Sequence, residues 1–401
     1  MSAPHFALDN CITVFYTLFF YNYRKHYKFK IFYRLWQAKD IIMVKTWLTH
    51  KLSIKYPIIQ GAMGPYSTNK LAAAVANAGG LGIISMIGMG VQHSAATPVD
   101  PTIVFGEGTT QDYIQKSLSF VESETSSSQG IFGINCPVSA EFMDAAKMLI
   151  LGAIQVREQS EDLKKRLKVI ITSAGDPMPW GPEIRKTDLT WFHVIPSIYH
   201  ARRAEKAGVD AIIASGHEGG AHISWQPVHS MVLIPGVIEQ TSLPVIAAGG
   251  ICDGRTMAAA LTMGAVGIQM GTRFIATAEC DFWDVWKQGV IKSDDRSTLV
   301  GRGMFGPMRF IANPASTKLV EKTVEKTPDF FKGKPVDLVP EIVDLEKKGF
   351  SLLVDNDENG ALILGGEAAG RISDLPPVSD LMENITLHAK QYIQNVQSVL
   401  A

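Results

Sequence analysis

Short, almost uninterrupted apolar runs recur from Tyr56 onward, and this repetition restricts the fold of the chain more than any other feature. Such runs are typical of strands that are buried on both faces of a parallel sheet, whereas a strand with one solvent-facing side alternates polar and apolar residues. The pattern therefore predicts a parallel sheet in an α/β protein. Eight segments have this character: Pro57–Ala62, Leu81–Ile87, Phe132–Pro137, Val169–Ser173, Phe192–Pro196, Ala211–Ser215, Pro244–Ala248 and Gly267–Gly271.

Helical patterns lie between several of these runs, and each ends at a glycine, the residue that adopts a left-handed C-terminal cap with least strain. The clearest are Asn69–Ala78, Ile198–Ala207 and Gly254–Met263. Eight buried strands with intervening helices predict a closed (β/α)8 barrel, the TIM barrel. An open doubly wound sheet is the alternative. That fold normally places its glycine-rich fingerprint after the first strand, and here the glycines lie late in the chain.

Three regions are predicted along the chain. Residues 44–280 hold the barrel, and Gly88–Gly130 is a long insertion after the second strand. Residues 281–401 contain helical stretches such as Pro340–Lys348 and Val378–Val399. Because no repeating βα unit continues there, we expect this last region to pack on the barrel as a C-terminal appendage.

Residues 1–43 form an N-terminal extension of different character. An apolar, aromatic run from Cys11 to Tyr21 precedes several basic residues, and it is shorter than the roughly 20 apolar residues that cross a bilayer. A signal peptide is not indicated, because Asp9 precedes the run and no small-residue cleavage site follows it. An interfacial anchor and an ordered extension are two interpretations. The one we favour is a segment upstream of the natural start, with Met43 as the initiator.

Composition argues against several classes of function. The formal net charge is -1 and no long run of Lys and Arg occurs, so no nucleic-acid partner is expected. The four cysteines are widely spaced without a CxxC pair, which argues against a disulfide framework and a zinc site and favours a reducing, cytoplasmic location. We predict no integral membrane span and no metal, and a small molecule as the partner. The sequence leaves open whether the chain forms a homo-oligomer.

Two glycine-rich turns at the ends of consecutive strands indicate a phosphate site. Gly249 and Gly250 follow the seventh predicted strand, and Gly271 and Thr272 close the eighth. In (β/α)8 barrels the loops after these strands often bind phosphate, which needs backbone N–H groups at close range without obstructing side chains. Tight turns without a ligand are the alternative. Two such turns one βα unit apart favour a phosphate-bearing ligand.

The sixth predicted strand runs into two histidines, a carboxylate and several small residues in Ser215–His222. Small residues allow a flat ring to approach the backbone, and an imidazole transfers protons near neutral pH. A metal site is not expected, because His217 and His222 lack a third ligand. A solvated His222 in a flexible loop is the alternative interpretation. We expect His193 to pack or hydrogen-bond in the core, and His229 to lie on the following helix.

Taken in order, several motifs resemble those of the nitronate monooxygenases, formerly called 2-nitropropane dioxygenases, and of the related flavin-dependent enoyl-acyl-carrier-protein reductases. Glu218–His222 resembles the family's glutamate-small-glycine-glycine-histidine motif. The other similar segments are Tyr56–Met63, Gly79–Gly82, Phe132–Asn135, Ala247–Ile251, Gln269–Thr272 and Gly365–Gly370. The resemblance covers most of residues 50–280 and a patch near the C-terminus, and it is more specific for the superfamily than for one reaction.

The resemblance implies FMN as the cofactor and an oxidation of alkyl nitronates by O2 to carbonyl compounds and nitrite. His222 takes the position of the family's catalytic histidine. The implied cofactor-binding residues are Gly61, Ala62, Met63, Ser85, Asn135, Ala214, Gly220, Gly249, Gly250, Gly271 and Thr272. Two other interpretations stay open: NAD(P)H-dependent reduction of an enoyl thioester or a quinone, and a phosphate-ligand-binding barrel without catalysis.

The chain departs from the family motifs at two places. Ala221 stands where the family usually has glycine before the histidine, and Gly61 and Ala62 replace the common alanine and proline of the first strand. Ala221 adds a methyl group beside the expected base. These departures therefore bear on the substrate more than on the fold or the cofactor.

Overall fold

The computed structural model describes residues 44–89 and 101–400, and its centre is a barrel of parallel strands. The strands of the described residues are β1 Ile58–Gln60, β2 Gly82–Ser85, β3 Phe132–Pro137, β4 Leu167–Ser173, β5 Thr190–Ile195, β6 Ala211–Ser215, β7 Ala221–His222, β8 Val245–Ala248, β9 Gly267–Met270, β10 Thr298–Gly303 and β11 Gly306–Ile311. Eight of them, all except β7, β10 and β11, pair in the order β1-β9-β8-β6-β5-β4-β3-β2. The fold is a (β/α)8 barrel, as predicted.

A glutamine side chain helps to close the barrel between β1 and β2. Ile59 forms an isolated parallel bridge with Leu81. The carboxamide of Gln60 extends this seam, because its Nε2 donates to the Ile83 carbonyl at 3.0 Å and its Oε1 accepts the Ile83 N–H at 3.1 Å. Gln60 is fully buried, and these two bonds satisfy polar groups that water cannot reach.

Helices fill most connections between the barrel strands. They are α1 Trp47–Leu52, α2 Asn69–Ala78, α3 Pro101–Phe105, α4 Thr110–Glu124, α5 Met143–Glu158, α6 Glu161–Arg166, α7 Gly181–Ile184, α8 Ile198–Ala207, α9 Ser230–Gln240, α10 Gly254–Thr262, α11 Thr272–Ile275, α12 Asp284–Ile291, α13 Pro314–Lys326, α14 Pro340–Ser351 and α15 Val378–Leu400. The predicted helices α2 and α8 have the expected bounds, with Gly79 and Gly208 as left-handed caps. Within the described ranges, every helix is too short or too polar to cross a membrane.

The apolar core has two layers, which the alternating direction of strand side chains separates. Inside the barrel, residues such as Val169 and Phe192 pack together, and Leu48 of α1 joins them. Leu48 also lies against Gly267, the first residue of β9, so α1 covers the end of the barrel where strands begin. Residues of the opposite parity, such as Ala214, pack in the layer between strands and helices. A ligand cavity is therefore left to the other end, where the strands finish.

The segment between β2 and β3 differs from the expected insertion. Much of it is α4, an ordinary crossover helix that packs against α2 and α5 and begins with a capping box between Thr109 and Asp112. A helix that buries one stripe keeps polar residues on its other faces, and this composition made Gly88–Gly130 resemble an insertion outside the repeating βα unit. The part of the insertion at residues 90–100 lies outside the described residues.

The region after β9 adds a small sheet and several helices. β10 and β11 form an antiparallel hairpin, and β11 pairs with β7, which lies between β6 and β8 in the sequence. The last helix, α15, packs on α10 and α2. The C-terminal region thus shares a sheet with the loop that carries His222. The N-terminal extension, residues 1–43, lies outside the described residues, so its three interpretations stay predictions.

Candidate active site

A cavity of about 430 Å³ opens where the barrel strands end. Its wall combines the loops after the barrel strands with the β10–β11 hairpin and parts of the C-terminal region. The predicted site residues that line it are Gly61, Ala62, Met63, Asn135, Gly220, His222, Gly249, Gly250, Gly271 and Thr272. Residues from both proposed phosphate turns and the proposed catalytic histidine therefore face one cavity.

Two predicted cofactor-binding residues, Ser85 and Ala214, do not line this cavity. Ser85 is fully buried and lies behind Gly64, whose added Cβ would be 3.4 Å from the Ser85 hydroxyl. Ala214 points into the layer between strands and helices, because its neighbour Ser215 takes the inward position at the end of β6. Both side chains support the site from behind.

The turn after β8 presents backbone to the cavity. Gly249 and Gly250 have φ angles of 87° and 72°, a left-handed conformation that strains residues with a side chain. A Cβ on Gly249 would lie 2.7 Å from the Gly216 carbonyl oxygen, so only glycine fits there. After β9, the Thr272 hydroxyl accepts the Gly366 N–H at 2.9 Å and retains its own proton for another acceptor. These turns fit a phosphate group.

The C-terminal glycine motif contacts the histidine loop. A Cβ on Gly220 would lie 2.6 Å from the carbonyl carbon of Gly365 and from the nitrogen of Gly366, so the two backbones approach closely. The Glu367 N–H also donates to the Glu218 carbonyl at 2.9 Å. Gly220 is therefore required for this backbone contact, in addition to lining the cavity.

His222 lies in a sheet and not in a flexible loop. It is paired with Met308 of β11, and its ring centre is 5.9 Å from that of Phe305. The preceding Ala221 has a φ of 59°, a left-handed conformation that glycine adopts without strain. Ala221 stands where the family usually has glycine, and its backbone conformation is one that glycine would adopt more easily.

The His222 imidazole is neutral at pH 7. Although its surface is open to the cavity, burial within the protein and, secondly, the positive charge of Arg302 lower its pKa to about 4. A ligand that excludes solvent from the cavity would strengthen the effect of burial on this pKa. A neutral imidazole can accept a proton or a hydrogen bond, and Arg302 supplies positive charge beside it.

Arg302 was not predicted from the sequence. It lies on β10 and is buried, with its guanidinium carbon 5.3 Å from the centre of the Trp225 ring. No motif marks it, because the pairing of β10 with β11, and of β11 with β7, is what brings Arg302 near His222.

Glu346 was also missed, although it lines the cavity and is only 1% exposed. Its carboxylate accepts the N–H of Met304 in the β10–β11 turn. Burial raises the pKa of Glu346 to about 7, against the opposing effects of that hydrogen bond and of the Arg302 charge. One signal was available: Glu346 is four residues from Ile342 and from Phe350, both buried on the same helix.

Glu218 fixes the start of α9. Its carboxylate accepts the backbone N–H and the hydroxyl of Ser230, each at 3.0 Å. His229 occupies the N-cap position of α9, but its side chain caps no backbone N–H. The Glu218 carboxylate provides this cap instead. The expectation that His229 lies on the helix was wrong by one residue. The neighbouring His217 lines the cavity, and burial lowers its pKa to about 4, while its Nδ1 has no hydrogen-bond partner among the described residues.

His193 packs and hydrogen-bonds in the core, as predicted. Its Nδ1 lies 2.8 Å from the Thr172 hydroxyl, and burial lowers its pKa to about 4. Across residues 44–89 and 101–400, no three His, Cys, Asp or Glu side chains are grouped so that they could hold a metal ion.

Comparisons with known proteins agree with this geometry. Residues 45–388 match the sequence profile of the family described as nitronate monooxygenase. A Staphylococcus aureus protein named probable nitronate monooxygenase is 30% identical over 278 residues, which cover 66% of this chain and 77% of that protein. A Mycobacterium tuberculosis protein named (3aS,4S,5R,7aS)-5-hydroxy-7a-methyl-1-oxo-octahydro-1H-indene-4-carboxyl-CoA dehydrogenase is 28% identical over 400 residues, covering 89% of this chain and 99% of that protein.

A solved structure is also similar over most of the chain. FabK from Thermotoga maritima has a TM-score of 0.71 and 30% sequence identity, and the match covers 89% of this chain and 100% of that one. The similarity therefore extends beyond the barrel strands into the C-terminal region that completes the cavity.

Proposed function

The chain belongs to the nitronate monooxygenase family, and from this premise we propose that it is an FMN-dependent oxidoreductase that converts alkyl nitronates and O2 to carbonyl compounds and nitrite. One observation carries the proposal: the His222 imidazole and the Gly249–Gly250 turn face the same cavity. The turn suits the phosphate of FMN. The imidazole is positioned to contact a substrate that lies against the flavin ring.

The glycine-lined part of the cavity fits FMN. The residues proposed to hold its phosphate are Gly249, Gly250, Gly271 and Thr272, and those proposed along its ring are Gly61, Ala62, Met63, Asn135 and Gly220. The positive φ of the Gly249–Gly250 turn supports this, since it exposes backbone without a Cβ. When bound, FMN supplies the two-electron redox chemistry and the reactivity with O2, while the protein binds and orients the substrate.

His222 and Arg302 together suit an anionic substrate. Burial and, secondly, the Arg302 charge make it unfavourable to add a proton to the imidazole, so His222 is a weak base toward a neutral nitroalkane. A nitronate carries a negative charge, which offsets that of Arg302 and raises the pKa of the adjacent imidazole. We therefore propose that His222 orients the nitronate by a hydrogen bond, and that it removes a proton less readily when the neutral nitroalkane is supplied.

A second candidate is NAD(P)H-dependent reduction of an enoyl thioester or a quinone. It is favoured by the relative named as a carboxyl-CoA dehydrogenase, which matches this chain over 99% of its own length. Apolar residues in the cavity wall, such as Phe142 and Leu149, suit the hydrocarbon part of either substrate.

Anaerobic absorbance titration of the FMN-loaded protein separates the two candidates. We expect nitronate to bleach the flavin, and NADH and NADPH to leave it oxidised. Readmission of O2 should then restore the colour and release nitrite. Bleaching by NADH or NADPH but not by nitronate would support the reductase. A protein that stays colourless after incubation with FMN would contradict both candidates.

A further inference from the structure

The tip of the β10–β11 hairpin contributes an aromatic residue to the cavity. Gly303 lies opposite Gly306, so Met304 and Phe305 form a two-residue turn. Phe305 lines the cavity, and its ring centre is 5.9 Å from that of the His222 imidazole. The phenyl ring therefore borders the space in which His222 would meet a substrate.

A second aromatic ring contacts Phe305 from the barrel. Phe142 lies after β3, directly before α5, and its ring centre is 4.6 Å from that of Phe305. This is within the separation of favourable aromatic pairs. Both rings line the cavity, together with Ala145 and Leu149 of α5. These four residues form an apolar wall whose continuity depends on where the hairpin tip lies.

Glu346 of α14 holds that tip. Its buried carboxylate accepts the N–H of Met304, the first residue of the turn. A Cβ on Gly303 would lie 3.3 Å from the carboxylate and 2.1 Å from the Met308 sulfur, so a small residue is needed where the carboxylate reaches the hairpin. Burying a carboxyl group is unfavourable unless hydrogen bonds and charges offset it. Here the offsets are the Met304 N–H and the charge of Arg302.

We propose that Phe305 limits the length of the alkyl chain that a substrate can place beside His222, and that Glu346 is the positioning residue that keeps Phe305 there. The inference rests on the proposed function, because it assumes a substrate with a charged head and an alkyl chain. His222 and Arg302 favour binding of the head, so the chain extends along the apolar wall. Phe305 then determines how many methylenes fit.

Straight-chain carboxylates from propionate to octanoate test the length limit, since a carboxylate shares with a nitronate a planar group, two oxygens and one negative charge. Tryptophan fluorescence reports their binding, because Trp225 and Trp286 line the cavity. Each added methylene should tighten binding about fourfold until the chain meets Phe305. In Phe305→Ala the gain should continue for about two further methylenes, which occupy the space of the ring.

Phe331→Ala is the matched control, because Phe331 is 57% exposed and does not line the cavity. It should show the wild-type limit. An unchanged limit in Phe305→Ala would overturn the proposal for Phe305.

Two variants remove opposite sides of the anchoring hydrogen bond. Glu346→Ala removes the acceptor, and Met304→Pro removes the donor while leaving the carboxyl group in place. Neither residue of the turn has a positive φ, so proline suits its first position, and this variant decides the question if Glu346→Ala does not fold. Both should extend the length limit, as Phe305→Ala does. Glu346→Gln keeps a carbonyl acceptor and should retain the wild-type limit.

Glu341→Gln, an exposed substitution on the same helix, controls for the loss of a glutamate. A wild-type limit in a folded Met304→Pro or Glu346→Ala protein would refute the positioning role. Carboxylate binding does not require turnover, so its outcome is separate from that of the proposed function. A flavin that nitronate does not reduce would defeat the proposed function, whereas a length limit that fails to move with Phe305 would defeat this inference alone.

Discussion

Replacing Glu346 by glutamine should change how the stability of the protein depends on pH. Burial raises the pKa of Glu346 from 4.5 to about 7 in the folded protein. Between these values the folded protein holds a proton that the unfolded chain has lost, so wild-type stability falls as pH rises, and the fall is nearly complete about one pH unit above the folded-state pKa. Linkage between the two pKa values gives a loss of roughly 2 to 3 kcal/mol in unfolding free energy between pH 5 and pH 8. Glutamine does not ionise and avoids this loss.

Urea unfolding of both proteins at intervals from pH 5 to pH 8 measures the difference. The unfolding free energy of Glu346→Gln should increase relative to wild type by the amount above. Glu341→Gln is the control: hydrogen bonding to its own backbone N–H and then the neighbouring lysines lower the pKa of Glu341, so it stays ionised over this range. Its curve should run parallel to that of wild type. A parallel curve for Glu346→Gln would show that the buried carboxyl is not held neutral, and the reasoning would fail.

Four further substitutions test the site and the barrel. His222→Ala should keep bound flavin, and its turnover of a nitronate should fall by about 10- to 100-fold, as expected for the loss of one hydrogen bond to a charged group; unchanged kinetics with the nitronate would exclude the orienting role. Gly249→Ala places a Cβ 2.7 Å from a carbonyl oxygen, so flavin should be lost on gel filtration while the circular dichroism stays native; retained flavin would contradict the phosphate assignment. Ala221→Gly relieves a φ of 59° and should raise the unfolding free energy in urea by up to about 1 kcal/mol, and a loss would count against backbone strain there. Gln60→Leu leaves the Ile83 N–H without its acceptor, although the Thr68 hydroxyl still donates to the Ile83 carbonyl, and should lower the unfolding free energy by about 1 to 2 kcal/mol; a neutral result would show that the seam does not need the carboxamide.

Much of the barrel could be predicted because its strands are buried on both faces and its helices end at glycine. β6 and the helices α2 and α8 were predicted to the residue. By contrast, α4 was taken for part of an insertion, since it buries a single stripe of residues and is otherwise polar. A sequence pattern identifies an element best when most of its residues are buried and therefore apolar.

The site was predictable only where its residues are close in sequence or lie at strand ends. Gly249 and Gly250 follow β8 directly, His222 lies in the segment after β6, and the structure places all three around one cavity. Ala214 shows that being near a strand end is insufficient, because adjacent residues of a strand point to opposite faces. Glu346 reaches the cavity, and Arg302 comes near His222, through contacts between segments far apart in the chain, and such contacts leave no local pattern.

The pairing of β7 with β11 has a consequence for the order in which the enzyme becomes functional. On the ribosome, all the barrel strands are made before β11 emerges, and until then the histidine loop has no strand beside it. A nascent chain that ends at β9 would contain every barrel strand but would lack β11, the strand with which His222 pairs. A change in the hairpin therefore alters the surroundings of His222 while the barrel strands and the turns after them stay as they are.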